Sequence, residues 1–420
     1  MNFKKRPSYS PRDIGLLSLI GLVTIILGSV LIGTNIALSR VVHGGGEFFV
    51  GLEGARAFLF EHTDPYSGPV ASLTQELAYG RLAKTGENPY ILTTPFFLMP
   101  LYFPFTLFSE SASARGFWMF ISESALVGVV FLALRSIAWQ PRWLFLVFFY
   151  LISILNYYSV TALLEGTPVI LLGLLYFGFL FAFSIGRDEL AGALMVPALF
   201  YWQVGSLFLV LVIWKIISDK RWRVLYGFGM TLIIFLVLSF LIYPGWIFSF
   251  VIAILSASRS QFGFSPVQIF SQLSPEHGNQ IATAVTILIL IILIYEWSVT
   301  RKADFRRYIW SACLTVAVTP LLGFRTEMSN LVVLFPCLAL IFAATTDRWK
   351  TGAWVSGLLL TIVLLVPWAF YVQISIVKDQ RFFNYLFLFY PLFSIVGLYW
   401  IRWWFIRPPR TWLDHVRSNN

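Results

Sequence analysis

Long apolar runs alternate with short polar and charged segments along the chain. An α-helix needs about 20 apolar residues to cross a bilayer, and many runs approach that length. They are 14–38, 143–160, 167–185, 224–243, 281–297, 308–323, 330–346, 352–372 and 383–404. Because lipid offers no partner for a free backbone amide, the pattern predicts a membrane-spanning helix in each run.

Residues 91–135 interrupt this pattern. The stretch has room for two crossings, but the charges on its flanks fit only an odd number. Pro95, Pro100 and Pro104 fall in its first half, and proline breaks a helix interior. We therefore expect a broken, partly re-entrant or interfacial segment there, followed by one full crossing at 116–134.

Residues 190–217 form a second exception, because cationic residues flank both ends. Arg187 precedes the run and the cationic segment 220–223 follows it. Both flanks are expected on the same side, so the run is predicted to fold as two short helices that meet near 201–205, deep in the membrane. Such backbone is tolerated where protein buries it or where it lines a water-filled cavity.

The composition also indicates a membrane protein. Hydrophobic residues make up 58% of the chain and charged residues 12%, which is outside the range of an ordinary soluble domain. An aromatic content of 18%, with 16 Trp, fits amphipathic rings at both membrane interfaces. We expect one polytopic membrane domain over 1–420, an all-α bundle of about ten to twelve transmembrane helices.

The net charge of +10 is distributed unevenly. Roughly two thirds of the 30 Lys and Arg residues fall in segments that alternate onto one side of the membrane. This bias marks a cytoplasmic face rather than a nucleic-acid surface. It predicts a protein of the plasma (inner) membrane with both termini cytoplasmic and without a nucleic-acid partner. The cationic residues before 14–38 predict that this run is an uncleaved anchor.

Two long hydrophilic stretches, 39–90 and 244–280, are expected on the outer side, where function tends to concentrate. In the first, Glu47 follows three glycines and shares a helical face with Gly51 and Gly54, so a substrate or another helix can approach closely. Glu47 is therefore a candidate general base for a sugar hydroxyl. The alternative is a solvated residue at the positive end of a helix dipole.

Other polar residues of the first outer loop also have two interpretations. Arg56 is a candidate phosphate clamp, or it only pairs with Glu53 one turn earlier. Asp64 and Tyr66 are candidate substrate contacts, or the Asp64-Pro65-Tyr66 sequence only closes a turn.

The chain offers little for a disulfide or a metal site. Cys313 and Cys337 fall inside apolar runs, where packing is the expected role. His43, His62 and the carboxylates near them lack the spacing of metal ligands. We therefore expect no disulfide, no metal and no cofactor.

The first outer loop carries an ordered set of short motifs. After the glycines come an acidic residue, two aromatic residues, a Gly/Ala/Arg helix and Asp-Pro-Tyr, and then Asn88-Pro89-Tyr90-Ile91-Leu92-Thr93-Thr94-Pro95-Phe96 with Pro100. This order resembles the GT-C-type glycosyltransferases, in particular the polyprenyl-phosphate-mannose-dependent glycosyltransferase family 87. In that family an Asp of this loop is catalytic, so the resemblance implies that Glu47 is the catalytic carboxylate.

Similarities to the family extend over roughly residues 15–345. They are Glu165-Gly166-Thr167-Pro168, Ala191-Gly192, Ser260-Gln261, Gln268 and Thr319-Pro320. The chain departs from the family where Glu47 replaces Asp, where Trp202-Gln203 replaces Lys-Pro, and where only Pro95 remains of a Tyr/Pro/Pro element. The second departure removes a cation that would neutralise a donor phosphate.

The resemblance implies an inverting transfer on the outer side of the membrane. A mannose-like hexose or a pentose would pass from a polyprenyl-phosphate donor to a lipid-linked or glycan acceptor, with Glu47 as the base. Arg259 and Arg325 are the cations expected to replace the missing Lys, because Arg holds phosphate through two hydrogen bonds. For each, the alternative is snorkelling, or pairing with a neighbour such as Glu327. The full candidate set for the donor phosphate or substrate is Arg56, Asp64, Tyr66, Gln203, Arg259, His277 and Arg325.

Two other functions stay open at this point. A polymerase or ligase of lipid-linked glycans, with a related fold, is expected to carry a large outer loop between late helices. A transporter or flippase of lipid-linked sugars is expected to place ionisable residues within its spans, and Glu123 and Glu296 lie within apolar runs.

Overall fold

The computed structural model describes residues 11–259, 262–301, 303–322, 325–377 and 381–406. Within these ranges the chain forms α-helices and short 3-10 turns, and its β-type pairing is an isolated antiparallel bridge between Phe264 and Thr326. The prediction of an all-α polytopic membrane bundle is confirmed.

The helices divide between long spans and shorter connecting elements. Up to residue 242 they are α1 (Pro11–Val41), α2 (Gly46–Leu59), α3 (Gly68–Tyr79), α4 (Ser111–Ser136), α5 (Trp143–Leu155), α6 (Tyr157–Glu165), α7 (Val169–Ser184), α8 (Asp188–Leu194), α9 (Trp202–Asp219) and α10 (Trp222–Ile242). Beyond it they are α11 (Trp246–Ser258), α12 (Pro266–Leu273), α13 (Gly278–Thr300), α14 (Phe305–Val318), α15 (Phe335–Arg348), α16 (Gly352–Val377) and α17 (Arg381–Ile406). The 3-10 turns are Phe96–Leu101, Phe103–Leu107, Pro197–Phe200, Thr319–Leu321 and Ser329–Leu334.

Within the described ranges, 7 helices are long and apolar enough to cross a membrane, or up to 8 when α5 and α6, bent by 48°, count as one span. They are Gly21–Val41, Ser111–Ser136, Trp222–Ile242, Gly278–Thr300, Ser329–Arg348, Gly352–Val377 and Arg381–Phe405. This is fewer than the ten to twelve expected, because some apolar runs form shorter helices. The run 167–185 yields a helix of 16 residues, and the run 308–323 stops being α-helical at Val318, two residues before Pro320.

The proline-rich part of 91–135 is broken, as predicted. It forms the 3-10 turns Phe96–Leu101 and Phe103–Leu107, and Pro100 and Pro104 lie within them. α4 then provides the long crossing expected over 116–134. The two turns pack against α2 and α10, so this segment covers those helices and does not cross the membrane as a further span.

The run 190–217 contains the predicted break. α8 has 7 residues and is followed by the turn Pro197–Phe200, and α9 begins directly after Tyr201. Arg221 forms an ion pair with Asp188, which ties the two ends of this hairpin together. Along α9, Tyr201 is about 27 Å from Asp219, so the bend reaches deep into the bundle.

α8 packs closely on α10 through two glycines. A Cβ added at Gly192 would lie 2.0 Å from the Val224 carbonyl oxygen, and one at Gly227 would lie 2.2 Å from the Glu189 carbonyl oxygen. Small residues let helix backbones approach in this way inside membranes. The contact fixes the position of the hairpin and therefore of Tyr201.

The apolar core contains both cysteines. Cys313 on α14 and Cys337 on α15 are buried free thiols, in a cluster that also includes residues of α4, α7 and α17. A second cluster packs α2 against the 3-10 turns, with Phe48, Tyr102 and Trp118 as stacked or tilted ring neighbours. This second cluster holds the helix on which Glu47 lies.

Candidate active site

A polar cavity of about 410 Å³ lies where the first outer loop meets the hairpin bend and the segment 325–330. Its lining residues are Glu47, Val50, Asn88, Pro89, Tyr90, Ile91, Thr93, Thr94, Tyr201, Gln203, Phe250, Ile254, Ala257, Ser258, Phe262, Gly263, Arg325, Thr326, Glu327 and Asn330. Thr93, Ser258 and Arg325 are exposed, whereas Asn88 and Tyr90 are buried. The polar cavity therefore runs from an open mouth to a polar floor.

Glu47 belongs to the first turn of α2, and the glycines before it aim the carboxylate into the polar cavity. Gly44 and Gly45 have φ of 127° and 83°, a left-handed conformation that favours glycine. The buried Arg115 guanidinium holds this loop by donating to the Val42 carbonyl at 2.7 Å and the Leu164 carbonyl at 2.6 Å.

Two glycines of α2 are packed against protein side chains. A Cβ at Gly46 would lie 2.0 Å from the Tyr90 ring, and one at Gly51 would lie 2.3 Å from the Tyr102 ring. The space beside these glycines, where a substrate or another helix was expected to approach, is therefore filled by tyrosines from the chain that follows α3. That segment seats Tyr90 beside Glu47 at the edge of the polar cavity.

Asn88 joins two carboxyl groups on the cavity floor. Its Nδ2 donates to Glu47 Oε1 at 3.0 Å and to Glu327 Oε1 at 3.1 Å. Its Oδ1 accepts from the Tyr90 amide at 2.9 Å, which fixes which end of the side-chain amide faces the carboxyl groups. Behind them, the Tyr90 hydroxyl donates to Glu165 Oε2 at 3.2 Å.

The surroundings favour a proton on the two carboxyl groups of the cavity. Burial and the nearby Glu165 carboxylate raise the pKa of Glu47 to about 7, while hydrogen bonds from Asn88 and Glu327 oppose the shift. Burial, helped by the charges of Glu47 and Glu165, raises the pKa of Glu327 well above its usual value. Near neutral pH, Glu47 is therefore the member of the pair that gains and loses its proton.

Two of the other predicted site residues line the same cavity. Gln203, on the first turn of α9, and Arg325, at the mouth, are both part of its wall. Thr326 exchanges backbone hydrogen bonds with Phe264 at 2.8 and 2.9 Å, which fixes the segment that carries Arg325 and Glu327. Glu47, Gln203 and Arg325 are thus brought together from three distant parts of the chain.

Arg56 does not line the polar cavity. Its guanidinium donates to Glu53 at 2.8 Å, to the Ser111 hydroxyl at 2.9 Å and to the Phe108 carbonyl at 2.7 Å. These partners tie α2 to the start of α4. The contacts of Arg56 therefore fit the alternative, a pair with Glu53, better than a phosphate clamp.

Asp64 and Tyr66 lie behind the cavity wall. Asp64 Oδ1 accepts from the Tyr66 amide at 2.9 Å, which closes the turn. The Tyr66 hydroxyl donates to the Thr94 carbonyl at 3.0 Å, and its ring lies 6.0 Å from that of Phe250. Both residues support lining residues and are not themselves part of the lining.

Arg259 and His277 are exposed and are not among the lining residues. Arg259 follows α11 directly after the lining residue Ser258, and His277 precedes α13. Ser260, Gln261 and the Trp202 side chain lie outside the described part of the chain. In the part that is described, no group of three or more His, Cys, Asp or Glu residues is arranged to hold a metal ion.

An apolar groove of about 620 Å³ meets the polar cavity at Tyr201, which lines both. Its other lining residues are Phe96, Phe97, Leu98, Pro100, Leu101, Pro168, Leu171, Leu172, Leu174, Leu175, Pro197, Phe235, Leu238, Ser239 and Ile242. Leu101, Leu238 and Ile242 are exposed, so the groove opens at the membrane-facing surface of the bundle.

Sequence reasoning missed Asn88, Glu327 and Tyr201 as site residues. Asn88 was seen as part of a motif and Glu327 as a neighbour of Arg325. Asn88 and Glu327 are 239 positions apart, so their contact has no local signal. An acidic residue in the short segment beside Arg325, on the same expected side as Glu47, was the available hint.

Fold and site together define an all-α polytopic membrane protein with an acidic cavity near the ends of its helices. Comparison of the chain with known protein families, with curated proteins and with solved structures finds no match. The similarity to glycosyltransferase family 87 therefore stays a prediction.

Proposed function

We propose that the protein is a membrane glycosyltransferase of the GT-C type. It transfers a hexose or pentose from a polyprenyl-phosphate donor to a hydroxyl group of a lipid-linked or glycan acceptor, with inversion at the anomeric carbon. The observation that carries the proposal is the joining of the polar cavity, with Glu47 and Arg325 in its wall, to the apolar groove at Tyr201.

Glu47 is the base in this reaction. Its carboxylate takes the proton of the acceptor hydroxyl while the hydroxyl oxygen bonds to the anomeric carbon. The bond from that carbon to the phosphate oxygen breaks, and its electron pair stays on the phosphate. A pKa of about 7 lets Glu47 both accept and release a proton near neutral pH.

Arg325 is the cation proposed for the donor phosphate. It lies at the mouth of the polar cavity, in the same lining as Glu47. A guanidinium binds phosphate oxygens through two parallel hydrogen bonds and stabilises the charge that gathers on the leaving phosphate. Gln203, also in the wall, offers an amide to a sugar hydroxyl.

The apolar groove supports a lipid-borne donor. Its wall consists almost entirely of aliphatic and aromatic side chains, and it opens at the surface of the bundle. Burial of an isoprenoid chain from water stabilises it by about 25 cal/mol for each Å² of apolar surface. A donor that is already in the lipid has no such gain, so the groove would stabilise it through packing contacts and would fix its position. Tyr201 then marks the boundary between chain and phosphate.

The transporter alternative has weaker support from the two acidic residues in the spans. Glu123 on α4 accepts from the Asn35 amide of α1 at 3.0 Å. Glu296 on α13 pairs with Arg402 at 3.0 Å and with Arg307 at 3.7 Å. Both therefore bind neighbouring helices together, which is a structural role.

The proposal is tested by sugar transfer in proteoliposomes. Labelled sugar on polyprenyl phosphate is supplied with candidate lipid and glycan acceptors, and product is measured for the wild type and for Glu47→Gln. Loss of a general base lowers the rate about 10²- to 10⁴-fold, so we expect the variant to lose that much activity.

Glu61→Gln is the matched control, because Glu61 is an exposed acid of the same loop. It is expected to keep wild-type activity. Full activity of Glu47→Gln at normal protein level would remove Glu47 from the mechanism.

A further inference from the structure

The side-chain amide of Asn88 holds two carboxyl groups in one orientation. Both of its N–H groups point to carboxyl oxygens, Glu47 Oε1 at 3.0 Å and Glu327 Oε1 at 3.1 Å. Because Oδ1 is held by the Tyr90 amide, the side chain cannot exchange its two ends without losing all three hydrogen bonds. The Asn88 amide therefore fixes the position of one oxygen of each carboxyl group.

The two carboxyl groups also contact each other. One oxygen of each lies within 3.1 Å of the same Asn88 nitrogen, and a hydrogen bond between the two carboxyl groups requires a proton on one of them. Two carboxylates this close cannot both ionise without strong repulsion, so the pair retains one proton. Burial and the charges of Glu47 and Glu165 raise the pKa of Glu327 well above its usual value, so Glu327 is the member that keeps this proton.

The polar groups around the pair do not remove the need for this proton. The groups that face the two carboxyl groups are the Asn88 amide, the Glu165 carboxylate and the hydroxyls of Tyr90, Tyr102 and Tyr201. Two cations are also near. Arg325 lies two positions from Glu327 along the chain, and Arg115 interacts with Glu165. The negative charge of Glu165 adds to the repulsion, so it favours retention of the shared proton.

We propose that Glu327 is a positioning residue for Glu47: its protonated carboxyl group, held by the same Asn88 amide, orients the Glu47 carboxylate toward the acceptor hydroxyl and stabilises its charge. This inference rests on the proposed function of Glu47 as a base. Before transfer the pair holds one proton. After transfer it holds two, the second taken from the acceptor, and it releases one to solvent before the next turnover.

The test compares Glu327→Gln with Glu327→Leu by the pH profile of kcat/KM. Gln can still donate to Glu47, so we expect activity within about threefold of wild type and an unchanged acid limb. Leu cannot donate, so we expect the acid limb to move upward by about one pH unit and activity at neutral pH to fall about tenfold.

A role of Glu327 in folding alone would lower protein yield without moving the acid limb. Glu61→Leu serves as the matched control at an exposed acid. An unchanged acid limb in Glu327→Leu, or an equal loss in Glu327→Gln and Glu327→Leu, would overturn the inference.

Infrared spectra of the purified protein test the shared proton without any activity. The wild type minus Glu327→Gln difference spectrum is expected to contain a protonated-carboxyl band that persists at mildly alkaline pH. Its absence would overturn the inference whatever the transfer assay shows. If the band is present and the wild type transfers no sugar, the proposed function fails while the shared proton stands.

Discussion

Glu47 places a carboxylate where the fold disfavours its charge. Its pKa of about 7 in the folded protein lies above the ordinary 4.5, so the folded state binds this proton more tightly than the unfolded state. The stability from this group is fully present below about pH 4.5 and is lost as the pH rises through about 7. The site therefore trades some stability for a base that works near neutral pH.

Glu47→Gln is expected to stabilise the protein at mildly alkaline pH. Gln keeps the hydrogen-bonding shape and removes the buried charge, for a gain on the order of 1–3 kcal/mol that vanishes at acidic pH. Thermal unfolding in detergent, followed at both pH values, measures the difference. An equal change in melting temperature at both would contradict the assigned cause.

The roles of single residues could be predicted from the sequence to different extents. Three glycines before a carboxylate made Glu47 a candidate, and the resemblance to glycosyltransferase family 87 made it the proposed base. The pairing of Arg56 with Glu53 was one of its two interpretations, but its contacts with Phe108 and Ser111, more than 50 positions away, leave no local pattern. The contact of Asn88 with Glu327 was invisible for the same reason.

At the scale of elements, the hairpin of α8 and α9 carries Tyr201 to the junction of the polar cavity and the apolar groove. Cationic residues at both of its ends, expected on the same side of the membrane, predicted the bend. A broken segment was predicted where Pro95, Pro100 and Pro104 cluster, but its two 3-10 turns were not. Among the described residues fewer helices than expected reach spanning length, because run length does not reveal where a helix stops, as at Val318.

Gly227→Ala tests the packing that holds the hairpin. The new methyl group would lie 2.2 Å from the Glu189 carbonyl oxygen, so α8 must move, at a cost of about 1–3 kcal/mol. We expect a lower melting temperature and weaker sugar transfer. Gly229→Ala, on the same helix with nothing within 4 Å, is the matched control and is expected to behave as wild type. Equal effects of the two would argue against close packing here.

At the scale of the whole molecule, cationic residues lie at the end of α9 that is farthest from the polar cavity. α9 extends from the polar cavity to Lys215 and Asp219, and Arg221 lies just beyond it. The positive-inside bias predicts that this end faces the cytoplasm, and the prediction places the polar cavity on the outer side. Fold class was predictable from apolar runs alone, whereas the assembly of the cavity required tertiary contacts.

Cysteine labelling tests this orientation. The native thiols Cys313 and Cys337 are buried, so the wild type gives low background. In intact cells, Thr63→Cys is expected to react with a membrane-impermeant maleimide, whereas Thr351→Cys reacts only after permeabilisation; both positions are exposed. The reverse pattern would overturn the charge assignment.

The most direct measurement is an experimental structure with a polyprenyl-phosphate sugar bound. The account predicts the phosphate at Arg325, the isoprenoid chain in the apolar groove beyond Tyr201, and the anomeric carbon facing the Glu47 side of the polar cavity. A sugar phosphate bound elsewhere, with Glu47 and Arg325 remote from it, would contradict the account.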